Sequence, residues 1–187
     1  MAALVDAVSR GEIPESEVVV VISDRTDALG LAKARQRGVE TVVIERKGRP
    51  RKEHDAEIID ELRERGVELV CLAGYMRLLS PEFVRAYPDR IVNIHPSLLP
   101  SFPGLDAQRQ AINHGVKISG CTVHFVNEDL DAGRIILQKS VIVRDDDTEE
   151  TLSARILEKE HEAYVEAVRQ IAACDLTNLR AVKRVPN

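Results

Sequence analysis

Short, almost purely apolar runs alternate along the chain with longer stretches in which apolar residues recur at helical spacing. Residues 17–23 (EVVVVIS), 40–44, 67–72 and 91–95 are the apolar runs, and each predicts a strand buried on both faces of a parallel sheet. Between them, residues 27–37 and 53–65 have an amphipathic helical pattern, and each ends at a glycine, Gly38 and Gly66. Residues 47–52 are basic and contain Gly48 and Pro50, which predicts a loop. A β-α-β-α-β rhythm of this kind implies a parallel sheet wrapped by helices through right-handed crossovers.

Beyond Pro100 the pattern changes. Residues 106–113 predict a short helix. Residues 119–127 and 134–143 alternate apolar and polar positions on either side of a turn-rich segment, so they are expected to pair with each other. Asp147, with Glu150 three positions later, reads as a capping box for a long last helix from about Thr148 to Ala173. The tail, residues 175–187, is weakly patterned. Residues 1–10 already read as a helix, whereas a doubly wound sheet opens with a strand and a glycine-rich turn. Either the domain is a variant of that architecture, or a first strand and its turn are missing from the N-terminus. The expected architecture is a single α/β domain over residues 1–187. It has a doubly wound, mostly parallel sheet, an antiparallel C-terminal strand pair and a long final helix.

Composition narrows the function. The net charge of −5 gives no broad basic surface, which argues against nucleic acid as the partner. No apolar run is long enough to cross a bilayer, and residues 1–10 lack the basic start and apolar core of a signal peptide. Cys71, Cys121 and Cys174 are far apart and form no C-x-x-C pair, which suits reduced thiols in a cytoplasmic protein. No histidine pair has metal-ligand spacing, so no metal site is expected, and G-x-S-x-G and Walker motifs are absent. Asp145, Asp146 and Asp147 read as a solvated turn and helix cap rather than a cation site.

Three segments can carry chemistry. Residues 93–104 (NIHPSLLPSFPG) follow a buried strand, where open α/β sheets place their ligands. Asn93 and His95 are two apart, so they share one face of that strand. An amide donor beside an imidazole suits a reaction at a carbonyl, but a rigid loop with a hydrogen-bonded histidine fits the spacing as well. Asp131, in Leu130-Asp131-Ala132-Gly133, is either a turn former or a carboxylate that pairs with His95 and favours its cation. Residues 73–79 (AGYMRLL) follow another strand and fit either core packing or a flat pocket. His54 and His114 read as surface helix residues, and His124 as a core group in a strand.

At these residues the chain resembles the folate-dependent formyltransferases. NIHPSLLP (residues 93–100) is similar to their signature. CLAGYMRLLS (71–80), SGCTVHFVNEDLDAG (119–133) and EKEHEAYVEAV (158–168) match in order, most closely the members that act on phosphoribosylglycinamide. The resemblance extends from Met1 to about Ala173. It implies a Rossmann-like formyltransferase fold and transfer of a formyl group from 10-formyltetrahydrofolate to the amine of phosphoribosylglycinamide. Asn93, His95 and Asp131 would be catalytic. Tyr75, Met76, Arg77, Leu78 and Leu79 would line the folate pocket with Asn93, Asn127, Glu128, Asp129, Leu130 and Asp131. Glu160 would hold the ribose hydroxyls of the acceptor. Arg51, on the basic loop and outside the family match, is a candidate for the phosphate end. The glycine-rich loop that cradles this phosphate in the family has no counterpart here, and Asp106-Ala107-Gln108 stands where many members carry a histidine. The implied partners are small molecules, acting on a monomer or homodimer. Formyltetrahydrofolate deformylase, the methionyl-tRNA formyltransferase core and a non-catalytic binding fragment are the alternatives.

Overall fold

The computed structural model describes residues 1–174. In chain order these form α1 (Ala2–Ser9), β1 (Val21–Ser23), α2 (Leu29–Arg35), β2 (Thr41–Val43), α3 (Arg51–Glu64) and β3 (Val70–Cys71). They continue with α4 (Pro81–Ala86), β4 (Ile91–His95), α5 (Ala107–Asn113), β5 (Ile118–Phe125), β6 (Ile135–Ile142) and α6 (Glu149–Ala173). The weakly patterned tail lies outside the described residues.

The strands form two sheets rather than one. β1 and β2 pair in parallel, and a second sheet has the order β3-β4-β5-β6. β3 and β4 are parallel, as the β-α-β rhythm requires. β5 runs antiparallel to both β4 and β6, so the expected C-terminal hairpin is present and is also joined to the parallel part through β4. Among the described residues β1 and β3 each pair on one side only and are short, three and two residues. A strand is defined by its ladder, and Val18, Val19, Val20, Val67 and Leu69 are apolar but precede the paired residues, which begin at Val21 and Val70.

β5 is central in its sheet, and residues 119–125 are buried. Its alternation separates two environments. Cys121, Val123 and Phe125 join Val92 of β4 in a core completed by Leu152, Ile156, Ala163, Tyr164, Ala167, Val168 and Ile171 of α6. The opposite face carries Asn93, His95, Thr122 and His124. A second core, around Ile58, Ile59, Leu62, Phe83, Tyr87 and Ile91, holds α3 and α4 against the β2 end of the molecule. The register between β5 and β6 shifts after Val123, which pairs with Leu137, whereas His124 pairs with Ile135. Ile136 is thus the extra residue of a β-bulge.

Three details differ from the sequence reading. α4 was not anticipated, because six residues are too few to show a helical period; its marks are Ser80 at the N-cap and Pro81 in the first turn. The cap of α6 is Thr148, with Thr151 completing the capping box. Asp147 instead accepts from the Arg144 N–H and the Thr151 hydroxyl and pairs with Arg155. His54 is fully buried rather than on the surface. Its Nε2 lies 2.8 Å from the Ile44 carbonyl, which joins α3 to the end of β2.

Candidate active site

Asn93 and His95 project from β4 onto the polar face of the sheet. The β4–β5 register sets His124 opposite Asn93 and Thr122 opposite His95. Directly opposed residues share a face, so all four side chains meet there. Asn93 Nδ2 lies 3.3 Å from His124 Nε2. His95 is 5% exposed. Its Nε2 lies 2.9 Å from the Phe102 carbonyl, and its Nδ1 lies 3.4 Å from Asp131 Oδ2. Both neighbours are acceptors, so each ring nitrogen faces an oxygen.

The loop after His95 is held by its own hydrogen bonds. Ser97 Oγ donates to the Ser101 carbonyl at 2.5 Å. Thr122 Oγ1 donates to the Ser97 carbonyl at 2.7 Å and accepts from the Leu99 N–H at 3.0 Å. Gln138 Nε2 donates to the Leu99 carbonyl at 2.9 Å, so β6 supports this loop across β5. Phe102, Asp106 and Asp131 all have positive φ, a conformation that non-glycine residues keep only where the surroundings impose it.

Asp131 reaches this site from the loop between β5 and β6. Its Oδ2 accepts from the Gly104 N–H at 2.8 Å, and its Oδ1 lies 3.8 Å from His124 Nε2. One carboxylate therefore touches the β4 loop, His95 and the surroundings of His124. Gly133 makes this approach sterically feasible, because a Cβ there would lie 1.6 Å from the Phe125 carbonyl oxygen. Asn127 Oδ1 accepts from the Asp129 N–H at 3.1 Å, the mark of a side-chain-closed turn. Glu128 lies 3.5 Å from Arg85 of α4, in an ion pair too exposed to contribute much. Leu130 packs toward Gly104 and is 53% exposed.

Loop 72–80 leaves the carboxyl end of β3, beside β4. Met76 and Leu78 are exposed, Leu79 is buried, and Leu105 adds a further exposed apolar side chain. The Arg77 guanidinium stacks over the Tyr75 ring at 5.1 Å and lies 3.6 Å from Asp24 at the end of β1. Below it, Asp55 Oδ2 accepts from the Ser80 N–H at 2.7 Å and fixes the start of α4. Burial pushes the Tyr75 phenol up to about 12, with the Asp55 carboxylate adding to the effect. Tyr75 is thus a neutral hydroxyl at any working pH.

The remaining candidates stand apart from this group. Glu160 is half-buried on α6, and burial raises its carboxyl above the ordinary 4.5. It makes no hydrogen bond to Asn93, His95 or Asp131 among the described residues. Arg51 is exposed at the start of α3. Burial pushes the Cys71 thiol up to about 12 and the Cys121 thiol up to about 11, so neither offers a thiolate nucleophile. Among the described residues no group of three His, Cys, Asp or Glu side chains is placed to hold a metal, and no helix is long and apolar enough to cross a membrane. Sequence reasoning missed His124 as a site residue. Its signal was the polar phase Thr122-x-His124 within an otherwise apolar strand.

The chain belongs to the formyl transferase family, whose pattern matches residues 1–168. Among its relatives it is 42% identical over 165 residues to phosphoribosylglycinamide formyltransferase of Escherichia coli K12, covering 88% of this chain and 77% of that protein. It is 44% identical over 186 residues to the trifunctional purine biosynthetic protein adenosine-3 of Drosophila pseudoobscura pseudoobscura, covering 98% of this chain but only 14% of that much longer protein. The crystal structure of glycinamide ribonucleotide transformylase 1 from Symbiobacterium toebii superposes with a TM-score of 0.90 at 53% identity, over 92% of this chain and 81% of that one.

Proposed function

We propose that this chain transfers a formyl group from 10-formyltetrahydrofolate to the amine of phosphoribosylglycinamide, a step of purine biosynthesis, in the cytoplasm. The observation that carries this reading is the placing of Asn93 and His95 on one face of the sheet with Asp131 against His95, in a chain whose relatives are named for that transfer. The acceptor amine attacks the formyl carbon. A bond forms from the amine nitrogen to that carbon, and the bond from the carbon to the folate nitrogen breaks. One proton passes from the amine to the folate nitrogen.

In the intermediate the formyl oxygen carries the negative charge. Asn93 donates to it through Nδ2, and an N–H of cationic His95 turns toward it as the substrates close the site. A preorganised donor of this kind contributes about 3–4 kcal/mol to the barrier reduction. Asp131 holds the cation in place and positions a water for the proton transfer. Residues 75–79 and 127–131 hold the folate, with the apolar rim of Met76, Leu78, Leu105 and Leu130 against its flat ring. Glu160 takes the ribose hydroxyls of the acceptor, and Arg51 stands toward its phosphate.

The experiment mixes the chain with 10-formyltetrahydrofolate, with and without phosphoribosylglycinamide, and measures tetrahydrofolate, formylated acceptor and formate. The expected result is tetrahydrofolate in equal amount to formylated acceptor, and none without acceptor. Formate release without acceptor would make the chain a deformylase. Folate binding with no turnover would make it a binding fragment.

A further inference from the structure

His124 is outside the catalytic group proposed above, yet it touches that group from a fully constrained position. It is 2% exposed, and strand register sets it opposite Asn93. Its Nδ1 lies 2.9 Å from the Phe125 carbonyl oxygen. A carbonyl only accepts, so Nδ1 carries the ring hydrogen. In the neutral ring Nε2 then holds a lone pair, and its hydrogen-bond partner is Asn93 Nδ2 at 3.3 Å.

Three charged or polar groups face this ring: Asn93, His95 and Asp131. Burial lowers the His124 pKa from its ordinary 6.5, and His95 lowers it further. The Phe125 carbonyl and the Asp131 carboxylate act the other way. Asp131 is the more distant partner, with Oδ1 3.8 Å from Nε2, and its other oxygen is committed to Gly104. The ring is therefore neutral at and above neutrality, with Nε2 as an acceptor.

An acceptor at that point distinguishes between the two ends of a carboxamide. It receives an N–H of Asn93 and repels its carbonyl. We infer that His124 is a positioning residue that fixes the Asn93 carboxamide with its NH2 group toward the reaction centre. One N–H goes to His124, and the second is left for the formyl oxygen. A protonated His124 would offer an N–H instead and attract the Asn93 carbonyl, which would turn the amide around. This inference rests on the transfer reaction proposed above, but the orientation it assigns can be read without turnover.

The test uses His124→Phe, which keeps the ring volume and removes the acceptor, and His124→Gln, which restores an acceptor near the Nε2 position. In His124→Phe, kcat is expected to fall roughly 10- to 100-fold, while KM for both substrates stays within about threefold. His124→Gln recovers most of the loss. In an Asn93→Ala background, His124→Phe costs no more than about threefold, because the group it positions is gone. Separately, ¹⁵N NMR of the wild-type chain at pH 7.5 is expected to show a neutral His124 with hydrogen on Nδ1. The Asn93 side-chain NH2 resonances should move in His124→Phe. A multiplicative loss in the double variant, a cationic ring or one with hydrogen on Nε2, or unchanged kcat in His124→Phe would overturn the inference. If the wild-type chain forms no formylated acceptor, the functional reading fails while the NMR arm still decides the orientation.

Discussion

Asn93, His95 and Asp131 act on one charge in the proposed reaction, so their losses should not add. Asn93→Ala, His95→Ala and Asp131→Ala are each expected to lower kcat about 10²-fold or more. The triple variant should be little worse than the poorest single one. Steady-state kinetics, with circular dichroism to show intact folding, checks this. His124 gives a separate expectation for stability. Burial holds its folded pKa below 6.5, so below that pH the unfolded chain takes up a proton that the folded one refuses. Its contribution therefore weakens stability as pH falls from 6.5 toward the lower folded value. Denaturation of wild type and His124→Gln between pH 8 and pH 5 should differ in slope by up to about one proton, with wild type steeper. Equal slopes would mean that the ring titrates alike in the folded and unfolded chain. Asn93 and His95 were legible in the sequence because strand phase alone puts them on one face. His124 was not, because its role depends on β5 lying antiparallel to β4 in a particular register, which is a non-local fact. His54 was misread, although its spacing four before Ile58 and eight before Leu62 already placed it on the buried face of α3.

At the scale of elements, α6 shows how a start signal can be read one residue early. Asp147 and Glu150 fit the capping-box pattern, but the reciprocal hydrogen bonds are made by Thr148 and Thr151, and Asp147 pairs with Arg155. Thr148 Oγ1 accepts from the Thr151 N–H at 3.3 Å. Thr148→Ala is expected to cost about 1 kcal/mol and to lower Tm by about 2–4 °C, measured by calorimetry at constant pH. An unchanged Tm would show that Asp147 caps the helix after all. Helix and strand types were readable from period for every element long enough to have one. Strand lengths were not, since Val18, Val19, Val20 and Leu69 are as apolar as the paired residues beside them. Tyr164 shows what the one-dimensional pattern leaves out. Its hydroxyl sits 2.8 Å from the Leu72 carbonyl and 2.9 Å from the Val92 carbonyl, joining the ends of β3 and β4 from a helix far along the chain.

For the whole molecule, the two cores predict unequal resistance to opening. β5 has a hydrogen-bonded strand on each side and α6 against one face, whereas β1 and β2 are short, partly buried and, among the described residues, paired only with each other. Amides of residues 121–125 should exchange with solvent roughly 10²-fold or more slowly than those of residues 21–23 and 41–43 in native-state hydrogen exchange. Uniform protection would contradict this division. The elements of the candidate site lie in the resistant half, apart from loop 72–80, which rests against Asp55 of α3 and Asp24 at the end of β1. The bulge at Ile136 lies at the junction between that half and the loop bearing Asp131. Deleting this one codon would leave a more regular ladder, since Ile135 already faces His124 and Leu137 already faces Val123. It would also take out the local bend that aims loop 126–134 back over β4. The sheet would gain regularity as Asp131 drew away from Gly104 and His95. The loss of Ile136 would then separate Asp131 from His95 while also removing a side chain that packs against the main core, so activity and stability would fall together.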